Sequence, residues 1–381
     1  MKAKIASIFN QHFEGNPLIV RSPGRINIIG EHVDYNGGYV LPAAIDKYIY
    51  VAISKRNDDR IGLYSVNFES SVEIALNDIK PSNDYSTYIL GVVDQLLQRG
   101  FSISGFNMVI DGDIPVGAGL SSSAALESAV AFALNELFQL GISRLDLVLI
   151  AQKAESTFAG VHCGVMDMFA SIYGVKDSVI KLDCDSLLFE YMPLKLDGYS
   201  LVLFNTNVKH SLASSAYNVR REQCETGLNL IKQIFPDVKT FKDVTENQLT
   251  TYVLPYDKEI FNRCFYVVKE IQRLNEACQF LQKGDLQALG KHLYATHEGL
   301  SKEYDVSCFE LDYLINAVKS NPNVLGARMM GGGFGGCTLN IIKNEEIDSL
   351  SNDLSLAYEK ETRLILDTIK VNTSNGTELV T

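Results

Sequence analysis

Between Gly105 and Leu140 the chain passes from a β-forming run, Gly105 to Asp111, through Asp113-Ile-Pro-Val-Gly-Ala-Gly-Leu-Ser-Ser-Ser123 into an alanine-rich run, Ala124 to Leu140. The last has the composition and length of a buried helix. Strand, glycine loop and helix in that order restrict the fold more than any other feature. A helix that starts directly behind glycines and serines turns its unpaired amides, and the positive end of its dipole, toward whatever sits in front of the loop. That makes an anion cradle. No Gly-Lys-[Ser/Thr] closes it, so it is not a Walker A loop, and a tight turn with serine N-caps would read the same way.

A chain of 381 residues can bury a large core, but single cores stop growing at roughly 250 to 300 residues, so two lobes with a cleft between them are expected. Forty-six acidic against 34 basic residues give a net charge of −12, which repels nucleic acid and anionic membrane surfaces. Neither is expected as a partner, and any bound phosphate must be met locally by amides, a metal and a few cations. The seven cysteines (163, 184, 224, 264, 278, 308, 337) are odd in number and lack C-x-x-C spacing. They indicate neither a disulfide framework nor a zinc site, and suit reduced thiols. Gln11, His12 and Glu14 stand where a signal peptide needs an apolar core, and no apolar run approaches the ~18 residues of a membrane span. A soluble cytoplasmic protein is expected.

Ile19 to Ile28, Tyr39 to Ser54, Val179 to Leu182 and Tyr199 to Asn205 also read as β. Within the second of these, Tyr48, Tyr50 and Ala52 alternate with Ile49 and Val51. Leu145 to Phe158 reads as a helix, and apolar residues three or four apart predict two amphipathic helices, over 260–281 and 286–300. A glycine-rich link, Met330 to Gly336, leads into a strand at Cys337 to Ile342.

Three further stretches carry chemistry. Val20 to Asp46 packs Arg25, Glu31, His32 and Asp34 into ten residues, a density that suits a polyol: hydroxyls need carboxylate acceptors and an imidazole able to play either part. A solvated turn ending in Asp34-Tyr-Asn-Gly-Gly38 is the plainer alternative. Asp167, in Cys163-Gly-Val-Met-Asp-Met-Phe169, is flanked by apolar residues and carries a desolvation cost unless a cation compensates it, or else caps a helix. Gly326-Ala-Arg-Met-Met-Gly-Gly-Gly-Phe-Gly-Gly-Cys337 satisfies G-x-G-x-x-G, yet it opens a strand where a dinucleotide loop opens a helix, so a hairpin is the simpler reading. Glu155 reads by pattern as a solvated helix residue, Tyr217 as core or surface filler, and Tyr85 and Tyr88 as ordinary packing. His162, His210, His292 and His297 form no metal-ligand pattern.

In order, these stretches resemble the galactokinase family of the GHMP kinases. Gly24-Arg-Ile-Asn-Ile-Ile-Gly-Glu-His-Val-Asp-Tyr35 is similar to that family's Gly-Arg-x-Asn-x-Ile-Gly-Glu-His-x-Asp-Tyr signature. The loop from Pro115 resembles the second GHMP motif, which wraps ATP phosphates without a Walker lysine, and Gly326 to Cys337 resembles the third. The resemblance runs from about Val20 to Ile342. It implies an α+β, two-lobed GHMP kinase fold: an N-terminal lobe like ribosomal protein S5 domain 2 over 1–190 and a ferredoxin-like C-terminal lobe over 191–381. The implied activity is ATP-dependent phosphorylation of α-D-galactose at its C1 hydroxyl, the entry step of the Leloir pathway, by a monomer. Carried over residue by residue, Arg25 and Asp167 are catalytic, and Glu31, His32, Asp34, Gly164, Asp167 and Tyr217 bind the sugar. Pro115, Gly117, Ala118, Gly119, Leu120, Ser121, Ser122, Ser123 and Ala124 bind ATP, and Ser123 with Glu155 holds Mg²⁺. Met168 departs from the family's usual Gln. The alternatives are a kinase for another sugar, such as N-acetylgalactosamine, and a non-catalytic galactose- and ATP-binding regulator. Regulators of the family lack a Ser-Ala pair that Ser123-Ala124 supplies here.

Overall fold

The described residues of this computed structural model are 1–115, 117–208 and 213–380, without the side chains of 213–215, so His210 and Ser211 lie outside them. The chain opens with α1 (Lys2–His12), β1 (Leu18–Asn27), β2 (Tyr39–Val40), β3 (Pro42–Lys55), β4 (Arg60–Ser65) and β5 (Ser70–Ala75). Next come α2 (Ser86–Gln98), β6 (Phe106–Gly112), α3 (Ser122–Phe138), α4 (Arg144–Ala154), α5 (Met166–Tyr173), β7 (Ser178–Asp183), β8 (Phe189–Pro193) and β9 (Tyr199–Asn205). Helices then dominate: α6 (Ala213–Ile234), the single turn α7 (Glu246–Gln248), α8 (Lys258–Lys283), α9 (Leu286–Lys302) and α10 (Phe309–Lys319). The hairpin β10 (Val324–Met329) and β11 (Cys337–Lys343) precedes α11 (Ile347–Thr362), β12 (Asp367–Val371) and β13 (Glu378–Leu379). The strands form sheets ordered β13-β1-β3-β6-β4-β5, β10-β11-β9-β12 and β2-β7-β8.

The inner strands of both large sheets are covered on two faces, which explains their nearly continuous apolar runs. In β3, Tyr50 and Ala52 join Ile5 and Phe9 of α1 on one side, while Ile49, Val51 and Ile53 face the main core with α2 and α3. In β9, Leu201 and Leu203 face that same core, and Val202 and Phe204 pack on Leu314, Val318 and Tyr358 of α10 and α11. The core therefore runs unbroken across both lobes. Helix α3 sits within it, where Ala124, Ala125, Ala129, Ala131 and Ala133 have no exposed surface and let neighbouring elements approach closely. Residues after β12 cross back to the first sheet: β13 pairs with β1, and Arg21 Nε donates to Glu378 at 2.9 Å. A boundary at 190 thus leaves the C-terminal tail with the first sheet.

Helix α4 ends at Ala154 and continues as a π-helical turn, Glu155–Ala159, closed by Gly160 in the left-handed region. A single π turn re-aims the side chains it carries, and such turns concentrate at functional sites. All seven cysteines are free thiols. No helix among the described residues is long and apolar enough to cross a membrane.

Candidate active site

The sugar-signature residues converge. Arg25, Glu31, His32, Asp34, Asp167 and Tyr217 line one cavity of about 230 Å³, with Glu155, Cys163 and Gly331 to Gly333. A register shift in β1 between Pro23 and Arg25 aims Arg25 into it, as bulges do beside active sites. Arg25 grips Asp167 in a two-point ion pair, Nε to Oδ1 at 2.6 Å and Nη2 to Oδ2 at 2.9 Å, and its third nitrogen donates to the Gly119 carbonyl at 2.5 Å. Burial alone would lower Arg25, but the charges of Asp167, Glu31 and Asp34 hold it above its ordinary value. Asp167 lies in the first turn of α5, where the helix dipole favours an anion. It also accepts from Ser121 Oγ of the glycine loop.

Glu31 is 2 % exposed and largely committed to the protein. Its Oε1 accepts from Arg328 at 3.1 Å and from the Gly331 amide at 2.8 Å, and its Oε2 accepts from Asn27 at 3.1 Å. Burial pushes this carboxyl up, but Arg328, Arg25 and those two donors bring it below its usual range. Asp34 has no such cation in contact among the described residues. Burial first, then the Asp167 charge, push it up to about 7. Gly164 is required beneath it, since a Cβ there would stand 2.1 Å from Asp34 Oδ2. The His32 ring packs against Tyr217 at 5.4 Å and Tyr304 at 4.9 Å, and burial pushes it down to about 4, so it is neutral.

The glycine loop leaves the amides of the helix behind it open to the cleft. Ser121, the N-cap of α3, makes no side-chain cap because its hydroxyl is turned to Asp167, so the first amides of α3 face the cleft without one. Gly119 and Gly331 approach so closely that a Cβ on either would lie 3.3 Å from a carbonyl of the other loop. The second and third glycine motifs therefore touch through their backbones, the third being also the β10–β11 hairpin. Ser122 and Ser123 line a second cavity of about 600 Å³ with Ile114, Leu126, Tyr85 and Tyr88, and Phe68 stacks on Tyr85 at 5.6 Å. The two tyrosines read as packing are thus walls of a cavity large enough for a nucleoside, beside a phosphate-type loop.

The walls of the two cavities are linked by Ser123 of the larger and Glu155 of the smaller: Ser123 Oγ donates to Glu155 Oε1 at 2.7 Å, while Cys163 Sγ lies 3.3 Å from Oε2. Glu155 is 7 % exposed, so its reading as a solvated residue fails. It stands at the start of the π turn, one helical turn after buried Ala151. Burial and Asp167 raise its carboxyl, with Ser123, Cys163 and Arg25 only partly offsetting them. An oxygen pair with a raised carboxyl and, among the described residues, no cation in contact fits Mg²⁺, which takes its other ligands from phosphate and water. Among the described residues no three His, Cys, Asp or Glu side chains form a metal cluster.

Several site residues escaped the sequence. Arg328 is wholly buried, and a lone arginine among the apolar residues of Gly326 to Met330 is itself a signal that an acid must meet it. Glu127, on α3 one turn after Ser123, is fully buried with neither oxygen partnered among the described residues, and burial with the charges of Glu155 and Asp167 pushes it well up. The His292 and His297 side chains pair with Glu276 at 2.7 Å and Asp312 at 3.2 Å, outside the site.

Comparison with known proteins agrees with this arrangement. The galactokinase galactose-binding signature matches residues 7–55, the GHMP kinases N terminal domain 87–175 and the GHMP kinases C terminal domain 276–360. A galactokinase of Thermotoga petrophila is 40 % identical over 95 % of this chain and 99 % of its own. One from Clostridium perfringens is 39 % identical over 93 % of each. The crystal structure of Lactococcus lactis galactokinase complexed with galactose superposes with a TM-score of 0.95 at 32 % identity, covering all of both chains. A mevalonate kinase at 18 % identity and a TM-score of 0.67 shares the fold alone. With near-complete coverage at this identity, and with the galactose signature at the wall of the cleft, the chain belongs to the galactokinase family and has the GHMP kinase fold.

Proposed function

We infer that the protein transfers the γ-phosphoryl group of ATP to the C1 hydroxyl of α-D-galactose, giving galactose 1-phosphate and ADP. The observation that carries this is the junction at Asp167, which holds Arg25 of the sugar signature and Ser121 of the phosphate loop on one carboxylate. Acceptor and donor sites are thereby one connected unit. A carboxylate offers about four lone-pair positions, and three are used here, so one remains to accept the C1 hydroxyl. That hydroxyl loses its proton to Asp167 as its oxygen bonds the γ-phosphorus and the bond to the β-γ bridging oxygen breaks. Arg25 fixes the orientation of the Asp167 carboxylate through its two-point ion pair and attracts the charge developing on the transferred group.

The amides opening α3 and the loop Pro115 to Ala124 cradle the phosphates, and the larger cavity takes the nucleoside. Ser123 and Glu155 would hold Mg²⁺, which when bound supplies charge neutralisation on the phosphates. Asp34 reads the C3 and C4 edge of the sugar, His32 and Glu31 other oxygens, and Tyr217 lies against the ring. The reading is supported by galactokinase relatives and by the acid-rich, half-enclosed cavity itself.

An ADP-release assay across galactose, glucose and N-acetylgalactosamine tests it. A site built to bond a hydroxyl can reject an analogue that misplaces it by up to ~10⁴ to 10⁵, because its own groups go unpaired. Galactose should lead glucose by a wide margin in kcat/KM, and the margin should shrink in Asp34→Ala. Equal use of glucose by the parent refutes the assignment.

A further inference from the structure

His32 can present either a donor or an acceptor to a ligand, and a chain of buried hydroxyls behind it decides which. Its backbone is left-handed, φ 61°, and its Nδ1 lies 2.7 Å from Tyr35 Oη. Tyr35 Oη is 2.8 Å from Tyr304 Oη, which in turn is 3.3 Å from Cys224 Sγ. Tyr304 and Cys224 are wholly buried. At the other end, Nε2 is buried near the Gly332 carbonyl with no hydrogen bond among the described residues, and the ring lines the sugar cavity.

A neutral imidazole carries one N–H, and each hydroxyl or thiol one proton, so the chain can run in two directions only. In one, Cys224 donates to Tyr304, Tyr304 to Tyr35 and Tyr35 to Nδ1, which leaves the ring proton on Nε2. In the other, Nδ1–H donates to Tyr35, Tyr35 to Tyr304, and the last proton falls on sulfur, a weak acceptor. The reverse order also turns a bare Nε2 lone pair toward surroundings that favour a proton, the Gly332 carbonyl and the Glu31 charge. The first order gives every strong donor a nitrogen or oxygen acceptor.

We propose that Tyr304, acting through Tyr35, holds His32 in its Nε2–H tautomer, so that His32 donates to a sugar oxygen in a cavity whose ionised carboxylates accept. Tyr304 is then a positioning residue for sugar recognition, about 270 residues along the chain from the group it orients. This rests on the reading that the cavity takes galactose. It distinguishes oxygens by role: hydroxyls facing Asp34 and Asp167 donate, and the one facing His32 accepts.

Nitrogen NMR of protein labelled at its six histidines tests it, with His32→Gln assigning the signal. The parent should show a protonated Nε2 and a bare Nδ1. In Tyr304→Phe the hydroxyl of Tyr35 can point either way, so both signals should move toward the average of the two tautomers. Galactose affinity without nucleotide should fall roughly three- to tenfold, the scale of one partly lost hydrogen bond. KM should rise by the same factor while turnover at saturating galactose stays within about twofold. Should Tyr304→Phe fail to fold, Cys224→Ala removes the far donor and should shift the signals in the same direction. A bare Nε2 in the parent, or ring signals unchanged in either variant, overturns the proposal. A protonated Nε2 that ignores saturating galactose in an enzyme that phosphorylates it overturns the link to recognition. A parent that does not phosphorylate galactose overturns the functional reading instead, and the tautomer signals then stand apart from it.

Discussion

Asp34→Asn should stabilise the free protein above pH 7 and leave it unchanged near pH 4. Burial, and after it the Asp167 charge, push the Asp34 carboxyl up to about 7, against an ordinary value of 3.8. Between those values the folded chain keeps a proton that the unfolded chain has released, so folded stability falls as pH rises through the window. About three pK units at 1.36 kcal/mol each set a ceiling of about 4 kcal/mol. Asp34 is only partly buried at the edge of an open cleft, and solvent screening brings the working figure to about 2 kcal/mol. With about 2.1 cal/mol/K of unfolding entropy per residue, 381 residues give about 0.8 kcal/mol/K, so the gain in Tm at pH 8 is about 2 to 3 °C. His32 has the opposite slope: burial pushes it down to about 4, so its contribution is full above its ordinary 6.5 and is lost as pH falls toward 4. The parent profile mixes the two, but the difference between variant and parent isolates Asp34, because Asn and a protonated Asp carry the same charge. Thermal melts of both proteins without sugar at pH 4, 6 and 8 decide it. No gain at pH 8, or an equal gain at pH 4, refutes the argument. Binding runs the other way: ionised Asp34 is the better acceptor, so the parent's galactose affinity should rise from pH 6 to pH 8 and the variant's should not.

Asp167→Asn removes the proton acceptor and should cost roughly 10² to 10⁴ in turnover. Galactose binding should persist in calorimetry, and turnover within a factor of two of the parent would reassign the carboxylate. Ser123→Ala and Glu155→Gln should each raise the Mg²⁺ concentration for half-maximal activity, and weaken Mn²⁺ binding measured by spin resonance in the presence of ADP, with galactose affinity unmoved. An unchanged metal dependence in both places the metal elsewhere. Arg328→Met leaves Glu31 buried and without its main cation, which should cost about 3 to 5 kcal/mol in denaturant unfolding, and Glu31→Gln added to it should restore part of that loss. Additive losses in the double variant would show that the pair is not coupled.

Motifs whose chemistry is local were legible, and contacts made by closure of the chain were not. The strand–loop–helix order appears as β6, loop and α3, and the apolar alternation in β3 sorts its residues between two clusters as a period of two requires. Helix α2 was not read from sequence, because Ile89, Leu90, Val92, Val93 and Leu96 are all buried and erase the one-sided stripe that marks a surface helix. Glu155 misled for a different reason: a charged residue in a helical run is usually solvent-facing, yet it stands four residues after buried Ala151 and seven after buried Val148, on the covered side of the helix. The Glu31–Arg328 pair joins residues 297 apart, so no window along the chain contains both.

The acids of the site sort themselves by what meets them. Five carboxyl groups, Glu31, Asp34, Glu127, Glu155 and Asp167, share one region with the buried cations Arg25 and Arg328. Each arginine takes one acid, Asp167 and Glu31 respectively, and holds it in the architecture of the site. The three acids left over are the ones pushed upward by burial and by their neighbours. Of these, Asp34 opens on the sugar cavity and Glu155, in the same wall, is bonded to Ser123 of the larger cavity, so sugar hydroxyls and a cation are the groups whose arrival would favour their ionised forms. Glu127 faces neither cavity wall and lies one turn behind Ser123 on the same face of α3, where a neutral carboxyl avoids repelling Glu155. Stability is thus withheld at the two acids that face ligands, and binding recovers it. That is why removing the charge at Asp34 should strengthen the empty fold while weakening the filled one.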